Sequence, residues 1–108
     1  DISPTLEHYT CMADLLGRTG HIDRALVLLE KMPWNADIVA WHTMLDACRK
    51  WGSVEYGKKA FERAIMLDEM DASAYLCMSG IYADAGMQED VLKINSLLEM
   101  RKQAQRSQ

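Results

Sequence analysis

Apolar residues recur along this chain at intervals of three and four, the spacing that lines one side of an α-helix. Three windows superimpose without gaps, at 8–20, 40–52 and 74–86. In each, an aromatic residue (Tyr9, Trp41, Tyr75) is followed three positions later by methionine (Met12, Met44, Met78). Eight positions after the methionine comes glycine (Gly20, Gly52, Gly86). Aromatic and methionine share a helix face, and Leu16 and Cys48 extend it by a further turn. All three methionines of the column are therefore expected in the core. Each glycine stands where a helix must stop, because glycine alone enters the left-handed region without steric cost.

Behind each glycine a second amphipathic stretch begins: Ile22, Ala25, Leu28, Leu29 and Met32; then Val54, Gly57, Ala60, Phe61, Ala64 and Ile65; then Val91, Ile94, Leu97 and Leu98. Ser53 is placed to cap the second of these, and Asp23, Glu55, Glu89 and Asp90 put acids early in all three. Pro33 ends one helix, and the segments 32–37 and 67–71 read as connectors. Strand-like alternation is missing throughout. The pattern predicts helices at 6–18, 22–32, 39–50, 54–67, 72–84 and 88–102, with the polar stretch from Arg101 to Gln108 fraying. The fold class expected is all-α: a right-handed α-α superhelix of three helical hairpins, with units at 1–37, 38–71 and 72–103 and a polar tail at 104–108. Stacked hairpins of this kind bury each unit against the next.

Composition bounds the chemistry. Of the 108 residues, 49% are hydrophobic, enough for a core, and no run approaches the length of a membrane span. The net charge of −4 argues against an autonomous grip on nucleic acid, which draws on a basic excess. Cys11, Cys48 and Cys77 form no C-x-x-C and read as reduced thiols in packing positions. His8, His21 and His42 lack a glutamate two residues on, so the zinc deaminase signature is missing. No nucleophile–base set stands out, and neither a metal, a cofactor nor an enzymatic role is expected of this segment. The chain opens on Asp1 and reads as a piece of a longer protein, with any targeting sequence upstream.

Helical pairs of about 34 residues point to tetratricopeptide or pentatricopeptide repeats. Tyr9-x-x-Met12, Asp14-Leu-Leu-Gly-Arg-Thr-Gly20, Asp23-x-Ala25 and Glu30-x-Met32-Pro33 resemble the last short repeat of plant organellar pentatricopeptide proteins of the PLS subclass. The run Ala40-Trp41-x-x-Met44-Leu45-x-Ala47-Cys48-Arg49 through Gly52-x-Val54-Glu55-x-Gly57 resembles the E1 motif that follows it. Asp71-Ala-Ser-Ala-Tyr75, Ile81-Tyr82-Ala83-x-Ala85-Gly86 and Asp90-Val91 resemble the E2 motif. The resemblance implies a specificity factor for cytidine-to-uridine RNA editing in plastids or mitochondria. Its partners would be single-stranded RNA, read with the help of upstream repeats, and a deaminase domain in cis or in trans with accessory editing proteins. The alternative is a tetratricopeptide-like scaffold that binds protein without RNA contact.

In the resembled family a base is read by the fifth and last residues of a repeat. Carried onto this chain, these are Thr10 and Asp37 in the first unit and, as weaker candidates, His42 and Asp71 in the second. The Thr–Asp combination resembles a guanine-preferring pair, and its hydroxyl and carboxylate suit a purine edge. Asp37 has a plainer reading as the cap of the helix beginning near Ile38, and Thr10 as a solvated residue. His42 departs from the usual small polar residue, and Leu76, in the third unit, carries no hydrogen-bonding group. Trp34 and Trp51 read either as stacking platforms or, more commonly, as fillers between helices. Arg49, Lys50, Lys58, Lys59 and Arg63 read as phosphate contacts or as a solvated face with pairs such as Glu55–Lys59. Met66, Met70, Met87 and Met100 are either core or a soft apolar surface. Uncapped ends of the stack give the isolated segment a route to self-association.

Overall fold

The computed structural model describes residues 6–31 and 37–106. Among them lie six α-helices: α1 (Leu6–Arg18), α2 (Ile22–Glu30), α3 (Ile38–Trp51), α4 (Val54–Leu67), α5 (Ala72–Asp84) and α6 (Gln88–Arg106). The connector prolyl Pro33, Met32 and Trp34 lie outside the described residues. Each expected helix is present, and the chain forms an all-α solenoid of three hairpins.

The three glycines end α1, α3 and α5 in the same way. Gly20, Gly52 and Gly86 have φ of 88°, 69° and 75°. After each, the next N–H reaches back to the carbonyl five residues earlier: His21 to Leu16 at 2.8 Å, Ser53 to Cys48 at 2.8 Å, Met87 to Tyr82 at 2.9 Å. The glycine N–H of each bonds the carbonyl three residues back, on Gly17, Arg49 and Ala83. This paired closure satisfies carbonyls that a helix end leaves orphaned, and it reverses the chain within a few residues.

Reversal sets the packing. Within units α1 packs on α2, α3 on α4 and α5 on α6; between units α1, α3 and α5 stack in a row. α3 also meets α2, α4 also meets α5, and α2 meets α4. The core joins Ile22, Ala25, Leu26 and Leu29 of α2 with Trp41, Met44, Leu45 and Cys48 of α3. It continues through Ala60, Phe61 and Ala64 of α4 to Tyr75, Met78, Ile81 and Tyr82 of α5, and ends at Ile94 and Leu98 of α6. Phe61 and Tyr75 meet edge to face, 5.1 Å between ring centroids, across the second and third units. α5 is apolar nearly all round because α3, α4 and α6 cover three of its sides.

Three expectations need correction. Met44 and Met78 are 2% and 0% exposed, whereas Met12 is 53% exposed. The column marks equivalent places, but burial also needs helices on both sides, and among the described residues only α2 and α3 meet α1. Ser53 occupies the position before α4, yet its side chain makes no capping bond. The last helix does not fray at Arg101 but runs to Arg106. Arg, Lys, Gln and Ala are all good helix formers, and no glycine or proline intervenes.

Candidate RNA-facing site and family assignment

Thr10, His42 and Leu76 occupy equivalent places on α1, α3 and α5, so the stacking of these helices sets them in one row. Thr10 is half-buried, His42 partly exposed and Leu76 60% exposed. The last residues of the first two units, Asp37 and Asp71, sit where α3 and α5 begin. Asp37 is exposed and its Oδ1 accepts the Ala40 N–H at 3.0 Å. Asp71 is buried to 8% exposure, and its Oδ1 accepts the Ala74 N–H at 3.4 Å. Both aspartates thus cap the next unit's first helix, as the plainer reading of Asp37 anticipated.

The structure brings His42 and Asp71 together: the imidazole Nε2 is hydrogen-bonded to Asp71 Oδ2 across 29 residues of sequence. Beside them a cleft of ≈ 210 Å³ between α3 and α5 is lined by His42, Leu45, Asp46, Ser73 and Cys77. A second cleft, of ≈ 200 Å³ between α1 and α3, carries Asp14, Arg18, Asp46 and Lys50 around Gly17. Arg18 is paired with Asp14 at 2.9 Å, one turn away on its own helix.

Trp51, read from the sequence as a stacking platform or a filler between helices, joins two units. Its indole N–H donates to the Gly17 carbonyl at 2.8 Å, and its ring lies against Gly20. It therefore clasps the end of α3 to the turn of the preceding hairpin while half of it stays exposed. Lys50 Nζ lies 5.6 Å from the same ring's centroid. The other cations divide. Arg49 faces Asp84 at 3.7 Å and Arg63 faces Glu30 at 3.9 Å, each linking neighbouring units. Lys59 lies over the Tyr56 ring at 5.5 Å in place of the expected Glu55. Among the other methionines, Met66 and Met100 are exposed, Met70 is half-buried, and Met87 packs on the core.

Two of the three thiols, Cys48 and Cys77, behave as packing groups. Burial, and then the neighbouring Cys77, pushes the Cys48 thiol up to about 12. Burial and then Asp46 push Cys77 up to about 11, with its Sγ 3.9 Å from Asp46 Oδ1. Cys11, at the place equivalent to Cys77, is exposed and so departs from the packing position expected of it. Among the described residues no cluster of metal-binding side chains forms, and no helix is long and apolar enough to cross a membrane.

The family model for the pentatricopeptide repeat matches residues 7–35, and that for the E motif matches residues 51–106. A mitochondrial pentatricopeptide repeat-containing protein of Arabidopsis thaliana is 39% identical over 94% of this chain and 15% of its own length. A second mitochondrial protein of that name and organism is 44% identical over 83% of the chain and 10% of its own length. A chloroplastic one is 39% identical over 93% of the chain and 12% of its own length. The chain thus spans a small fraction, between 10% and 15%, of these three relatives. No solved structure matches it. Mitochondrial and chloroplastic relatives agree with a plastid or mitochondrial location. With one repeat and an E motif covering both ends of a continuous helical stack, this chain belongs to the plant pentatricopeptide repeat family, among its members that carry an E motif.

Proposed function

We propose that the chain is the C-terminal helical-repeat module of an RNA-binding protein of the PLS subclass, acting in organellar cytidine-to-uridine editing. The first unit is a short repeat that adds one base contact to an RNA track, through Thr10 and Asp37. The second and third units are E1- and E2-like and recruit a deaminase domain, in cis or in trans, with accessory editing proteins. The observation that carries this reading is that the E-motif residues 51–106 fold as helices packed onto the repeat stack, α4 against α2 and α3 and α5 against α3. A module of that shape is a rigid extension of the RNA-binding surface. The chain's acidic balance, −4 overall, suits recruitment of a protein better than an independent hold on phosphate. It acts as an adaptor and leaves the chemistry to its partner.

Deletion of residues 38–106, the E1- and E2-like units, from the full-length protein separates the two roles. Gel-shift affinity for the target RNA should stay within a few-fold, while conversion of the target cytidine in organelle RNA should be lost. Unchanged editing by the deletion variant would remove recruitment from the account. For the RNA contact, Thr10→Asn in the full-length protein should change the base preferred at one nucleotide and leave the others alone.

A further inference from the structure

The two candidate reading pairs hold equivalent places but differ in state. In the first unit the Asp37 carboxylate is exposed and bonded to one helix N–H. In the second, both oxygens of Asp71 are engaged inside the protein, Oδ1 by the Ala74 N–H and Oδ2 by His42 Nε2. The carboxylate is also buried, at 8% exposure, so losing a partner there is costly. We propose that His42 acts as a latch, closing the second unit to a nucleobase and ending the row of reading positions at Thr10 and Asp37.

The argument is one of exchange. A base edge that reached Asp71 would first have to displace the imidazole, trading one hydrogen bond for another with no net gain. Nothing nearby compensates. The adjoining α3–α5 cleft has no lysine or arginine in its lining, and its polar members include the acidic Asp46. Arg49 is held toward Asp84. One unit further, Leu76 offers only an exposed alkyl group. The track of base contacts therefore stops where His42 meets Asp71, and the E-motif hairpins beyond it are left for protein.

This proposal rests on the RNA reading above, and its test separates the two. The nucleotide facing the first unit is the one whose preference Thr10→Asn alters in the full-length protein. Its two neighbours are then each varied over four bases and the affinities compared. One neighbour should tolerate every base within about twofold in the wild type. His42→Thr copies the Thr10–Asp37 pair into the second unit and keeps the Asp71 cap. It should gain about tenfold discrimination at that same neighbour, the effect of one net hydrogen bond. His42→Ser repeats the measurement should threonine disturb α3, with helix content followed by circular dichroism. Strong discrimination at both neighbours in the wild type would overturn the latch. So would continued indifference in both folded variants. If Thr10→Asn shifts no preference anywhere, the RNA reading by the first unit is what fails.

Discussion

Asp37 and Asp71 make the same capping bond in different surroundings, and that difference gives a measurable contrast. Losing an exposed cap costs about 1 kcal/mol, so Asp37→Ala should lower the melting temperature by about 4–8 °C in a domain of this size. Asp71→Ala loses its cap and also strands the His42 nitrogen, and should cost about 2–3 kcal/mol. Equal shifts in the two variants would mean that the His42–Asp71 bond adds nothing to stability. The family resemblance was enough to nominate His42 and Asp71 as a pair. That they bond to each other was not legible, because the contact depends on how closely α5 approaches α3. A second contrast lies in the thiols. The folded chain favours the neutral forms of Cys48 and Cys77, whose thiols sit near 12 and 11 against an ordinary 9.0. Above pH 9 the unfolded chain therefore binds fewer protons than the folded one, and stability falls as pH rises toward those values. Below pH 9 that contribution is fully present. Iodoacetamide at pH 8 should alkylate the exposed Cys11 first, as read by peptide mass spectrometry; early labelling of Cys48 would contradict its burial.

Helix ends and helix contacts make different demands on glycine, and three alanine substitutions separate them. At Gly52 an added Cβ meets nothing within 4 Å, but φ is +69°, so Gly52→Ala costs about 1 kcal/mol of backbone strain alone. At Gly17 the added Cβ would lie 2.8 Å from the Ala47 Cβ, an atom fixed to the α3 backbone. Gly17→Ala must push α1 from α3 and should destabilise by about 1–2 kcal/mol, after allowing for the better helix propensity of alanine. At Gly80 the near atoms belong to the tip of the Arg49 guanidinium, at 2.6 Å, and that side chain is half exposed. It can swing away, so Gly80→Ala should be neutral or gain up to about 1 kcal/mol. Urea midpoints for the three variants rank these cases; a Gly80→Ala loss as large as that at Gly17 would show Arg49 to be fixed. Elements were the most legible level of the sequence. The aromatic, methionine and glycine columns record local geometry that every hairpin must repeat, so the ends at Gly20, Gly52 and Gly86 could be read directly. The clasp of Trp51 on Gly17 could not, because it joins residues 34 apart through the inter-unit angle. Met12 misled for the related reason that its burial is a property of a neighbour and not of its own helix.

At the scale of the whole molecule, stability in a stack of hairpins is close to a sum of each unit and its interfaces with adjacent units. Those interfaces are unequal. α3 is covered by α1, α2, α4 and α5, whereas among the described helices α6 packs on α5 alone. Of the ionic links between units, Arg63–Glu30 and Arg49–Asp84 are long and exposed, and Arg101–Glu69, at 2.9 Å, is open to solvent on the glutamate side; all three should contribute little. The apolar centre therefore carries the stack, and it narrows toward α6, where Ile94 and Leu98 are the buried residues. Local opening free energies should follow that gradient. Amide hydrogen exchange should be slowest in α3 and α5. It should be faster in α6, above all beyond Leu98, and faster in α1, whose Met12 and Leu15 are exposed. Tyr75→Ala provides the complementary perturbation, since Tyr75 is fully buried and touches Phe61 across the central interface. Removing so large a core side chain costs about 3–5 kcal/mol, much of the ~5–15 kcal/mol that holds a domain folded. It should accelerate exchange in every helix, while Leu92→Ser on the exposed side of α6 should leave the central helices unchanged. Uniform protection from α1 to α6 in the wild type would mean that the hairpins open together, and the unit-by-unit account of the stack would have to be abandoned.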